Sequence, residues 1–281
     1  MDPVRAEVYG TKGLAKLHRS RHFPDTAGMA ALAAELYEDV HGRLVDAAVD
    51  TALDRLLVLE FNEFKRREGE WATSILETLM DTEIHQYPNC YTIAQNYIEA
   101  AKSDPLKAIK TSGITRLLNA FSDSQAQSRK TRAGSSLEHH IERLLKAHGI
   151  REFETQKKLT ADKKTVKVDF IFPSILHFSI EPMDCVACAC QTTSNDRFRL
   201  SIPQLDKGLR KYILTAIGCT NFGAALQGDS LSKDKLREVE ASGIRYVILE
   251  KGMDERLRRH PAVITYQEFF QELTRLTPIW R

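Results

Sequence analysis

Through about the first 125 residues, apolar positions recur every three or four, the period of amphipathic helices and not of strands. Between 30 and 64 the series Leu32, Leu36, Val40, Leu44, Ala48, Leu53, Leu56, Leu57 and Phe61 is interleaved with charge, so one face is buried and the other solvated. The pattern resumes from 70 to 84 on Trp71, Ile75, Leu79 and Met80 and breaks at Pro88-Asn89. Residues 91–101 and 106–120 predict two more helices, the second opened by Asp104-Pro105. The polar stretch from Ser122 to Ser128 predicts a linker.

Beyond it the texture changes. Residues 135–148 predict a helix with Leu137, Ile141, Leu144 and Leu145 inward and Gly149 just past its end. Lys164 to Phe172 alternates as a strand and stops at Pro173, which has no N–H for a ladder. Cys185 to Cys190 is small and apolar, as in a strand buried on both faces. Pro203 to Thr215 predicts a helix, with a strand beginning at 214–218. A helix over 231–241, strands over 244–249 and 263–265, and an amphipathic helix over 266–276 complete the series. The succession predicts an α/β fold, a mixed sheet flanked by helices with an N-terminal helical subdomain. Residues 1–125 form the helical part and 126–281 the α/β core.

Composition narrows the classes. Charged residues make up 28 % and hydrophobic residues 42 %, the balance of a globular chain and not of a disordered or fibrous one. No run approaches the roughly eighteen apolar residues of a membrane helix. Met1-Asp2-Pro3-Val4-Arg5 has no apolar signal core, so the expected location is the cytoplasm, with no membrane partner. Five cysteines fit a reducing compartment, and Cys185, Cys188 and Cys190 along one strand read as small buried residues, not a zinc site. The net charge of +2 gives no global attraction to polyanions. Attraction must be local, at Arg129-Lys130-Thr131-Arg132, Lys157-Lys158 and Lys163-Lys164 with Lys167, runs that equally describe solvated surface.

Candidate chemistry gathers on the two predicted strands. Asp169 stands between apolar residues, where a carboxylate must be solvated, paired or metal-bound. On the second strand Gln191 shares a face with Ala189, Ala187 and Cys185, whose small side chains leave room beside it. The polar run after Gln191 holds Asn195, Asp196 and Arg197. An arginine pairs with O6 and N7 of guanine and a carboxylate accepts from N4 of cytosine, so an Asp-Arg couple suits a C·G pair. The same run also allows a plain surface ion pair between Asp196 and Arg199. His139 and His140 are neighbours on a predicted helix and point apart, which leaves one of them to face solvent or phosphate.

Several blocks in one order carry a family resemblance. They are Arg132-Ala133-Gly134 with Ser136-Leu137-Glu138, Asp169-Phe170-Ile171-Phe172-Pro173-Ser174, Thr192-Thr193 and Asp196-Arg197-Phe198-Arg199. Tyr212-Ile213-Leu214-Thr215, Ser230 to Glu238, Tyr246-Val247-Ile248 and Val263-Ile264-Thr265-Tyr266 continue it. Together they resemble the EcoRII-type restriction endonucleases of the PD-(D/E)XK nuclease group. The resemblance implies a restriction-endonuclease-like fold and a Mg²⁺-dependent type II endonuclease. Such an enzyme cuts double-stranded DNA at a CC…GG-type site, acts as a homodimer and has a companion DNA methyltransferase.

The resemblance also implies roles. Asp169 would be the metal-binding acid, Glu138 a supporting acid, Asn195, Asp196, Arg197 and Arg199 the base-reading stretch, and Arg132 a phosphate contact. Three positions depart from the family pattern: Gln191 stands where the catalytic lysine is expected, Gln204 where a metal-site glutamate is expected, and Asn195 where a basic residue is usual. Glutamine keeps shape and hydrogen bonding but brings no net charge. An alternative expectation is therefore a DNA-binding relative that does not cut and acts as a regulator.

Overall fold

The computed structural model describes residues 2–10, 12–80, 86–161, 164–191, 208–220 and 231–280. The chain divides into two compact units, Met1–Met29 with Asn62–Ala133, and Ala30–Phe61 with Gly134–Arg281. Before the first strand come seven helices among the described residues. They are α1 (Pro3–Tyr9), α2 (Leu14–His22), α3 (Thr26–His41), α4 (Val49–Met80), α5 (Pro88–Ala101), α6 (Pro105–Thr111) and α7 (Ile114–Ala147). The first unit buries Val4, Val8, Leu14, Trp71, Ile75 and Leu117 in one core, each large side chain contributing about 1.5–3 kcal/mol. Asp104 caps α6 by accepting from the backbone N–H groups of Leu106 and Lys107, the role its place before Pro105 predicts.

The second unit is built on a six-stranded sheet in the order β1-β2-β3-β4-β5-β6. Its strands are β1 (Glu154–Ala161), β2 (Lys164–Phe172), β3 (Val186–Gln191), β4 (Arg210–Thr215), β5 (Ile244–Ile248) and β6 (Val263–Thr265). The first three run antiparallel and the last four parallel, so the sheet is mixed, as expected. Between and after the strands lie α8 (Ile175–Ile180), α9 (Lys233–Ala241), α10 (Glu255–Arg258) and α11 (Tyr266–Trp280). Phe170, Phe172, Cys188, Leu214 and Val247 pack on one side with Leu53, Leu56, Ile141, Leu144 and Phe269. Ile213, Tyr246 and Ile248 pack on the other with Leu236, Val239 and Leu257, which places helices on both faces. Tyr37, Leu53 and Leu56, read on periodicity alone as part of the helical N-terminal region, share the core of the sheet.

Three expectations about local structure are corrected, and one strand was not foreseen. The predicted linker, Ser122 to Ser128, lies inside α7, because a polar run without Gly or Pro does not stop a helix. The runs over 30–64 and 70–84 are divided elsewhere: the break falls after Gly42, whose φ of +79° ends α3, and α4 continues unbroken through Gly69. Residues 210–215, expected as helix, form β4, with Lys211 to Thr215 all buried; a short apolar run fits either element by periodicity. β1 was hidden by its lysines, which disfavour strands in general but suit a strand at the margin of a sheet.

Candidate active site

Asp169 lies near the end of β2, half-buried between the fully buried Val168 and Phe170. Its two oxygens have separate donors. The backbone N–H of Cys190 donates to Oδ2 at 2.7 Å, and the side-chain amide of Gln156 donates to Oδ1 at 2.9 Å. β2 and β3 pair from Phe170–Cys188 to Phe172–Val186, and Asp169 immediately precedes the first of these pairs. Alternate side chains of a strand share a face, so Ala187, Ala189 and Gln191 lie on one side of β3. The strand carrying the acid and the strand carrying the glutamine are thus adjacent.

Glu138 approaches from α7. Leu137, Ile141, Leu144 and Leu145 fix that stretch of helix in the core, all four fully buried. Oε2 of Glu138 accepts from the same Gln156 amide nitrogen that serves Asp169. Burial and then the nearby charge of Asp169 push the Glu138 carboxyl up to about 7, against the smaller downward pull of the Gln156 hydrogen bond and of Lys167. A carboxyl that titrates near neutrality beside a second carboxylate is a frequent mark of a functional centre.

Gln156, which joins the two acids, was not singled out in the sequence. It sits in β1 with φ +54°, the one non-glycine residue with positive φ among those described. The pairs Thr155–Phe170 and Lys157–Val168 flank it with the register intact, so Gln156 stands opposite Asp169 without forming a regular ladder pair there. Composition carries no signal for this. Only the strand register brings the amide and the acid together.

Gln191 ends β3, paired with Thr215 of β4 and only 8 % exposed. Its Oε1 is buried, with no hydrogen-bond partner among the described residues. A carboxylate from β2, a second from α7 and a buried amide oxygen from β3 are the hard oxygen donors that a divalent cation such as Mg²⁺ takes. Among the described residues, no group of three or more His, Cys, Asp or Glu side chains is placed to hold a metal. The carboxylates of Asp169 and Glu138 fit such an ion in donor chemistry, with amide or water oxygens to complete its shell.

The other sequence candidates fall elsewhere. Arg132, in the first unit, donates to the carbonyl of Pro24 at 3.0 Å and lies over the rings of Phe23 and Phe64. Asn195, Asp196, Arg197, Arg199 and Gln204 lie outside the described residues. His140 is fully buried and hydrogen-bonded to Glu60, while its neighbour His139 is half-buried.

A model of the EcoRII C-terminal family matches residues 103–270. Over 165 residues the chain is 34 % identical to the type II restriction enzyme EcoRII of Escherichia coli. That match takes in 56 % of this chain and 36 % of the enzyme, little more than a third of the relative's length. Among solved structures, metal-depleted Ecl18kI in complex with uncleaved, modified DNA is similar at a TM-score of 0.72 and 17 % identity, over 100 % of this chain and 86 % of that one. The PspGI–substrate DNA complex is similar at 0.60 and 15 %, over 92 % and 94 %. At such identities the likeness is one of fold, and the fold is that of the restriction endonucleases. The family model spans more than half of the chain, and the protein belongs to the EcoRII C-terminal family, that of the EcoRII-type restriction endonucleases.

Proposed function

We propose that the protein is a type II restriction endonuclease that hydrolyses phosphodiester bonds of double-stranded DNA at a CC…GG-type site with Mg²⁺. The observation that carries this reading is the convergence of Asp169 and Glu138, from a strand and a helix, on one amide group. A Mg²⁺ ion held by these carboxylates would polarise a phosphoryl oxygen and offset the charge developing at phosphorus. The Cys190 N–H fixes the orientation of Asp169 through Oδ2. Glu138 holds a proton near neutrality while the site has no added positive charge, and releases it when one is present. Gln191 Oε1 is an acceptor for a water O–H and so orients a nucleophile, but it contributes no charge. In the hydrolysis water adds at phosphorus, one P–O ester bond breaks, and an alcohol and a phosphate monoester result.

Specificity belongs in this reading to Asn195, Asp196, Arg197 and Arg199, with Asp196 and Arg197 paired to an outer C·G. Arg132 contacts a phosphate in this reading, and residues 1–125 serve flanking phosphates or dimer contacts. A two-fold homodimer matches a symmetric site, and a companion methyltransferase protects the host's own copies. The neutral Gln191 favours a second reading, in which the chain binds and reads DNA as a regulator without cutting it.

Incubation of the purified protein with unmethylated plasmid and Mg²⁺ or Mn²⁺ decides between the two. Discrete fragments are expected. Their absence across many templates, together with specific binding to CC…GG duplexes, would replace the nuclease by the regulator. In that case Gln191→Lys combined with Gln204→Glu is expected to switch cutting on.

A further inference from the structure

We propose that Gln156 is a ligand of the divalent cation, turning its amide over on binding so that Oε1 replaces Nε2 between Glu138 and Asp169. The inference rests on the metal-dependent reading above and adds to it a residue that neither the family pattern nor the sequence marks. The Gln156 nitrogen already occupies the point on which both acids converge, since it donates to Glu138 Oε2 and to Asp169 Oδ1. A cation shared by the same two carboxylates cannot tolerate an N–H pair beside it, because the amide hydrogens carry positive charge. The carboxamide is nearly symmetric in shape, with two donors at one end and an acceptor at the other. Half a turn about its last bond therefore presents a hard oxygen to the same point with nothing else displaced. Amide oxygens are ordinary ligands of hard cations.

The backbone gives a second, independent reason. Gln156 is held at φ +54°, in the left-handed region that glycine adopts freely and other residues adopt at a cost. The register is kept on either side, and the distortion falls at the one position of this stretch where no ladder pair forms. What it achieves is to bring this one side chain to the two acids. Strain of this kind concentrates at ligand clamps.

The test is titration of the full chain with Mn²⁺, followed by electron paramagnetic resonance, with no reading of activity. Gln156→Gly removes the side chain and leaves a residue that suits the left-handed backbone, so the variant is expected to melt no lower than the parent. It should bind Mn²⁺ at least about ten-fold more weakly, and the bound ion should carry one more water ligand. Gln156→Glu places a charged oxygen at the same reach and should bind more tightly than the parent. Binding in Gln156→Gly within about two-fold of the parent, or tighter, would overturn the role of Gln156. A parent that binds no Mn²⁺, or binding that Asp169→Asn leaves intact, would instead overturn the metal-site reading itself.

Discussion

Glu60 and Glu138 reach the same stretch of α7 and meet opposite circumstances. Glu60, from α4, is buried and accepts from Ser136 Oγ at 2.6 Å and from His140 Nε2 at 2.5 Å. Ser136 and His140 are four residues apart, so they present one face of the helix to it. Glu138 lies midway between them in sequence and is directed elsewhere, toward a single neutral amide and the charge of Asp169. One carboxylate is surrounded by donors and ties two helices of its unit together. The other is crowded by a like charge, which costs stability until a proton or a cation intervenes. One short stretch of α7 thus carries a fastening and an acid held beside a like charge, and local chemistry alone separates them.

The largest effect expected from breaking this contrast is at Asp169. Asp169→Asn should lower plasmid cleavage by about 10³-fold, roughly 4 kcal/mol of barrier, while leaving urea unfolding close to that of the parent. Retention of activity within about ten-fold would remove the acid pair from the chemistry. Next comes Glu60→Ala, which strands the Ser136 and His140 donors in the core and should cost about 3 kcal/mol in urea unfolding. The activity of the folded fraction should not change. A Glu60→Ala protein of full stability that no longer cleaves would invert the comparison.

The smallest effect is the most diagnostic. Glu138 titrates at about 7 in the fold against an ordinary value of 4.5. Below 4.5 both folded and unfolded chains are protonated at this position and it costs nothing. Between 4.5 and 7 the unfolded chain ionises while the fold keeps its proton, so stability falls as pH rises, and above 7 the whole penalty is present. Allowing for partial exposure, Glu138→Gln should therefore stabilise the protein by about 2 kcal/mol at pH 8 and by little at pH 4.5. Thermal unfolding of parent and variant at the two pH values measures the difference, and a variant less stable than its parent at pH 8 would show that the acid pair is not crowded.

What the sequence made legible follows from the physics of each segment. β2, β3, β5 and β6 were visible because alternating or short apolar runs are bounded by breakers. β4 was read as helix because Tyr212-Ile213-Leu214 is apolar throughout and a uniform run has no period. In the site, Asp169 stood out as an acid among apolar neighbours, and family resemblance added Glu138 and the glutamine at 191. Gln156 stayed hidden, since its importance arises from a strand register and one backbone angle. The buried Glu60 cluster was equally hidden, because it joins residues 76 and 80 positions apart.

The place of Gln156 in the sheet has a mechanical consequence. Among the described residues β1 is bonded to β2 alone, whereas β3 is gripped by a strand on each side. A peptide on the margin can swing while tearing few hydrogen bonds, but one in the middle cannot. The two acids and the amide thus resemble a vice with a fixed jaw and a sliding one, whose gap can change without disturbing the frame that bears it.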